Sequence, residues 1–125
     1  MVHRSRFCAL FFDSPDALAS VAFWSAALGR TTRPGDGDGP YFGLLPRPGE
    51  SIDVVIQEID EAPRAHIDIE TDNVEAEASR LMAIGAELVA AVEDWKVLRA
   101  PGGHLFCVVP AHTSAWPDGC VEWSD

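Results

Sequence analysis

The chain has 125 residues, 47% of them hydrophobic, and a formal net charge of −11. That length suits a single globular domain with a real core, while nine Lys and Arg against twenty Asp and Glu exclude the clustered cations on which nucleic-acid binding rests. Asp13 and Pro15 cut the first apolar stretch short, so neither a signal peptide nor a membrane span is expected, and the three cysteines at 8, 107 and 120, with no CxxC pair, fit reduced thiols in the cytoplasm.

Residues 6–12 read as a strand with Phe7, Ala9 and Phe11 on one face and Cys8, Leu10 and Phe12 on the other. A helix follows: Ser14 can cap it, Pro15 suits its first position and Asp16 complements its dipole. Leu18, Val21, Ala22, Trp24, Ala26 and Leu28 keep helical spacing up to Gly29, a C-terminal stop, and Phe23-Trp24 reads as core packing. Residues 31–33 fit a short strand. The loop 34–40, rich in Gly, Pro and Asp, lacks the bidentate Glu of a calcium loop and reads as a solvated turn. Residues 41–45 and 51–59 form a hairpin about the turn Pro46-Arg47-Pro48-Gly49.

After a crossing at 59–64, His66, Asp68 and Glu70 alternate with Ile67 and Ile69, the pattern of a strand with one polar face and one apolar face laid on a helix. Asp72 or Asn73 caps that helix, Glu75 and Glu77 occupy its first turn, and Gly85 ends it. Strands at 87–92, 95–99 and 104–109 follow, the last pair joined through Pro101-Gly102-Gly103. Pro110 ends the ladder. The tail 111–125 carries Trp116 and Trp123, which are expected to pack on the body or on a second subunit.

Phe23-Trp24 and Leu28-Gly29 closing the first helix, His66-Ile67-Asp68-Ile69 leading to Asp72-Asn73, Gly85-Ala86 closing the second, and Trp95-Lys96-Val97-Leu98 before Pro101-x-Gly103-x-x-Phe106 occur in one order and spacing. In these the chain resembles the vicinal oxygen chelate superfamily, which includes glyoxalase I, bleomycin-resistance proteins and extradiol dioxygenases, and within it the small glyoxalase-like domain proteins. The resemblance covers residues 6–109. It implies an α+β fold of two tandem βαβββ modules, 6–59 and 64–109, forming a cupped mixed sheet with helices on the outer face, in one domain followed by the tail 110–125.

The resemblance also implies a ligand set. In the metal enzymes of the superfamily four strands each aim one ligand into the cup, and those positions fall here on Ala9, on Gln57 or Val55, on His66 and on Cys107. Alanine cannot bind a metal, so no cofactor is expected; a divalent metal would have to use His66 with Cys107, Gln57 or Asp68. The final turn also departs from the family, reading Ala100-Pro101-Gly102-Gly103-His104 where relatives carry Asp and Asn. The cup is then a small-molecule pocket lined by His66, Asp68, Gln57, Cys107, Trp95, Ala9, Phe7 and Val55. A Cys107 nucleophile with a His66 base has little positive charge beside it, and Asp68 or Glu70 would serve as a base only if buried.

The expected function is binding of a small organic molecule, aromatic or cationic, for sequestration, resistance or sensing. The alternatives are a divergent metal-dependent lyase, isomerase or dioxygenase, and a partner-binding module acting through the tail. A homodimer is expected by analogy, with neither nucleic acid nor membrane as partner.

Overall fold

A computed structural model describes residues 1–36 and 39–124; Gly37 and Asp38 of the loop 34–40, and Asp125, lie outside the described residues. Along the chain run β1 (Val2–Ser14), α1 (Ala17–Leu28), β2 (Tyr41–Leu44), β3 (Asp53–Glu58), β4 (Arg64–Thr71), α2 (Val74–Ala83), β5 (Glu87–Val92), β6 (Trp95–Arg99), β7 (Leu105–Pro110) and β8 (Val121–Ser124). This is the α+β class, with strands in mixed pairing and a β-α-β order that recurs at β4. The expected strand at 31–33 is reduced to a single bridge from Thr32 to Leu44. Pro34, which has no N–H to donate, and Gly35 follow it immediately. No described helix is long and apolar enough to cross a membrane.

The chain divides into two compact units, one of Ala9–His66 and one of Met1–Cys8 with Ile67–Asp125. In the first, the strand order is β2-β3-β1. β1 and β3 run parallel in the register Phe11 to Val55 and Asp13 to Gln57, and β3 pairs antiparallel with β2, Gln57 facing Tyr41. The alternate residues Val54 and Ile56 are buried, and Phe12 stacks on Trp24 of α1 at 4.0 Å between ring centroids. The cap of α1 is Asp16, whose carboxylate accepts from the Ala19 amide, and not Ser14, whose hydroxyl is engaged by Ser20 and by the Asp16 amide. Gly29 closes the helix in the left-handed conformation at φ 65°, a region that L side chains disfavour.

In the second unit, the order is β1-β4-β7-β6-β5, with β8 added to the start of β1. β4 and β7 are parallel, as Ile67 to Phe106 and Ile69 to Val108, and β6 continues the rows antiparallel, as Leu98 to Phe106 and Lys96 to Val108. These rows point to α2. Leu81 of α2, Leu98, Phe106 and Val108 form the buried cluster against which Ile67 and Ile69 pack, which is the role expected of the two isoleucines. Asn73 caps α2 through the Ala76 amide.

β1 is longer than its apolar core predicts, because its first residues are polar and nevertheless buried. His3 bonds to Glu77 on α2, and Arg6 to Glu70 on β4. Near its start the odd-numbered His3 is the helix-facing residue, whereas further along the even-numbered Phe12 is.

Candidate functional site on the polar face of β4

With Ile67 and Ile69 committed to the α2 side, His66, Asp68 and Glu70 occupy the opposite side of β4. The register extends this face across β7 and β6: Asp68 faces Cys107, which faces Val97, and Trp95 lies two residues from Val97 on the same side. One nitrogen of His66, one carboxylate oxygen of Asp68 and the Cys107 sulfur lie within 4.8 Å of one another. Asp68 is buried, while His66 and Cys107 are half-buried.

His66 is held from two directions. Its ring stacks on Phe11 at 4.4 Å between centroids and 17° between planes, and its Nδ1 lies 2.7 Å from the Asp13 carboxylate, whose side chain is buried. A hydrogen on Nδ1 donated to Asp13 fixes the orientation of the ring. The second Asp13 oxygen, Oδ1, is buried with no hydrogen-bond partner among the described residues. Arg64 lies 3.7 Å from Oδ2 and adds a cation at the rim.

Glu70 looks like a general base from sequence but is fully occupied. It is 0% exposed and accepts from Arg6 Nη1 at 2.6 Å, from the amides of His112 and Thr113 at 2.8 and 3.0 Å, and from the Thr113 hydroxyl. Burial alone would raise its carboxyl, but the Thr113 hydroxyl, the two amides and Arg6 outweigh burial and hold it below the usual carboxylate range. On the α2 side Glu77, also 0% exposed, accepts from His3 and from two Arg80 nitrogens at 2.8 Å. Burial pushes Glu77 up, and the bonds from Arg80, His3 and Ser5 pull it down further. The tail completes this cluster: Trp123 lies over the Arg80 guanidinium at 3.7 Å and donates to Ser5 Oγ at 2.9 Å, and Trp116 faces Arg4 at 5.4 Å.

Of the residues singled out from sequence, His66, Asp68 and Cys107 converge. Val55 and Gln57 share the face of Phe11 and Asp13 in the β1–β3 ladder, and Gln57 donates to the Tyr41 hydroxyl at 3.5 Å. Trp95 lies further along the Cys107 face. Ala9 is buried, and Phe7, of the same parity as His3, is 45% exposed. Phe11, expected on the cup face with Ala9, is the residue that stacks on His66; Asp13 and Tyr41 were not expected at the site. Asp13 was legible only as the start of a helix, since nothing local pairs it with a histidine 53 residues away.

The polar face of β4 and its neighbour β7 thus offers an imidazole oriented by a carboxylate, a second carboxylate and a thiol. Imidazole nitrogen, carboxylate oxygen and thiolate sulfur are each ligands of Zn²⁺, and three protein donors with a further open position is the usual arrangement of a catalytic zinc site. The same groups can accept hydrogen bonds from an organic cation and hold it by charge.

A model of the glyoxalase-like domain matches residues 9–109. A search of curated proteins gives no match. Among solved structures, a hypothetical protein from Bacillus halodurans C-125 superposes with a TM-score of 0.65 at 10% identity, covering 89% of this chain and 97% of that one. A methylmalonyl-CoA epimerase gives 0.63 at 11% identity, covering 86% and 95%. The methylmalonyl-CoA epimerase of Mycobacterium tuberculosis gives 0.56 at 16%, covering 85% and 88%. At such identities these likenesses speak to the fold alone, and the fold is that of the vicinal oxygen chelate superfamily. With four-fifths of its length matched by the family model, the chain belongs to the glyoxalase-like domain family of that superfamily.

Proposed function

We propose that this protein binds a small organic molecule carrying an amine or other cationic group, and that His66, Asp68 and Cys107 grip it. The observation that carries this reading is the convergence of those three side chains, two from β4 and one from β7, within 4.8 Å of one another. Asp68 supplies the counter-charge, and the His66 ring, fixed in place by Asp13 and Phe11, flanks it. The net charge of −11 favours approach of a cation. Calorimetry with a panel of aromatic amines and the matching aromatic acids tests the reading. Saturable binding of an amine, weakened at least about tenfold in Asp68→Asn, supports it; failure of every compound to bind the folded protein overturns it.

The donor set favours a second reading, in which His66, Asp68 and Cys107 hold a divalent cation. Asp13 on His66 Nδ1 is then the outer carboxylate that fixes the tautomer and orientation of a ligating imidazole. A cation held there would supply Lewis acidity, polarising an oxygen of the bound molecule or acidifying a water. Elemental analysis of protein purified without a histidine tag distinguishes the two. A stoichiometric metal lost in Cys107→Ser supports the second reading, and no uptake from Zn²⁺, Fe²⁺ or Ni²⁺ removes it.

A further inference from the structure

We propose that two copies of this chain associate through the outer face of α1, packed antiparallel about a twofold axis. α1 carries no charged residue from Ala17 to Leu28. Its inner side is set by Ala17, which is buried, and by Trp24, which stacks on Phe12. Helical spacing then turns Leu18, Ala19, Ala22, Phe23, Ala26 and Ala27 outward, and Leu18 and Phe23 are 74% and 61% exposed. The two serines add nothing to this outer face: Ser20 bonds to Ser14, and Ser25 to the Ala22 carbonyl. A helix meant for water carries charges on its outer side, as α2 does with Glu75 and Arg80. A helix that is apolar all round is normally covered.

Charge selects the occupant. Copies of a chain with a net charge of −11 repel one another over most of their surface, and α1 offers a face without charge. Its two ends are also complementary to each other. The N-terminal end carries the exposed Asp16, and the C-terminal end carries the exposed Arg47, whose Nη1 donates to the Gly29 carbonyl at 3.0 Å. The neighbouring Arg30 is paired with Glu50, so this end keeps one net positive charge. Twelve residues make a helix about 18 Å long. In an antiparallel pair the Asp16 of each copy therefore falls at the Arg47 end of the other, twice by symmetry, while Leu18 and Phe23 lie across the partner's alanines. A membrane surface fits poorly, because an interfacial helix carries a polar face rich in Lys and Arg, and α1 itself has no charged residue.

Sedimentation velocity of the full chain from micromolar to hundreds of micromolar is the test, run on wild type, Phe23→Glu and Arg47→Glu. The expected result is a wild-type dimer whose dissociation constant rises at least about tenfold in each variant, with far-ultraviolet circular dichroism unchanged. A second variant guards against misfolding: Ala22→Cys, near the midpoint of α1, is expected to form an intermolecular disulfide on mild oxidation that wild type, with its three native cysteines, does not form. A wild-type monomer at every concentration overturns the proposal. So does a dimer that survives Phe23→Glu, or one that Ala22→Cys fails to cross-link. Association of α1 only with an added foreign protein, the wild type remaining monomeric, overturns it equally.

Discussion

Replacing Glu70 by alanine should be the most damaging single change to a polar residue in this chain. Glu70 lies beside a candidate site, yet its carboxylate is spent on Arg6, the amides of His112 and Thr113, and the Thr113 hydroxyl. Both it and Arg6 are buried, at 0% and 5% exposure. Removing one partner of a buried, hydrogen-bonded pair costs about 3 to 5 kcal/mol, because the remaining charge and donors stay desolvated without their counterpart. Glu70→Gln keeps an oxygen for the two amides but loses the charge opposite Arg6, so its cost should be smaller, roughly 2 kcal/mol. Against a total stability of about 5 to 15 kcal/mol, the alanine variant should be close to unfolding at 37 °C. Urea denaturation followed by circular dichroism reads this directly: for a slope of about 1.5 kcal/mol per M the midpoint should fall by roughly 2 to 3 M in Glu70→Ala and by roughly 1 M in Glu70→Gln. Neither variant should alter affinity for an amine at the proposed site once protein is folded. A cost below about 0.5 kcal/mol for Glu70→Ala, the range of an ordinary surface change, would refute the view that Glu70 is a structural staple.

Three further outcomes follow from the same structure. Leu98 is 0% exposed inside the cluster with Leu81, Phe106 and Val108, so Leu98→Ala should cost about 2 to 5 kcal/mol in the same urea assay. Glu70 and Glu77 both sit below the ordinary carboxylate value of 4.5 in the folded chain. Their stabilisation should be complete above about that pH and lost as pH falls through the lower folded values; Glu77→Gln should flatten that acid limb in pH-dependent melting. Trp123→Ala removes the ring over Arg80 and the bond to Ser5, and should lower stability by about 1 to 3 kcal/mol without changing the association state seen by sedimentation.

The second half of the chain was largely legible because its signals are local. Alternation in 66–70 set the two faces of β4, Asn73 and the glutamates marked the start of α2, and Gly85 marked its end. The expected first strand begins only at Arg6 because the residues before it, His3 and Ser5 among them, look like surface residues, as Arg6 itself does. They are buried through partners such as Glu77 and Glu70, more than 60 residues away, a pairing that no single sequence displays. The tail lacked any period because β8 is only four residues long and is fixed by pairing with Val2–Ser5 and by Trp123. In α1 the apolar residues run round the whole helix, so spacing could not tell Trp24, which packs inward, from Phe23, which does not.

The same contrast holds at the site. His66 and Asp68 were visible as neighbours on one strand face, and Cys107 entered through the family resemblance. Phe11 and Asp13 are the residues that meet the imidazole. Alternation from Ala9 put Phe11 on the same face, whereas nothing local pairs Asp13 with a histidine so far along the chain.

The central claim, that the polar face of β4 is where this protein meets its ligand, is tested most directly by amide NMR titration of the folded chain with the tightest-binding amine of the panel. The account predicts saturable shifts concentrated at residues 66–70 and 105–109, moved to at least about tenfold higher ligand concentration in Asp68→Asn. Shifts confined to α1 or the tail, or shifts that persist unchanged in Asp68→Asn, would contradict it.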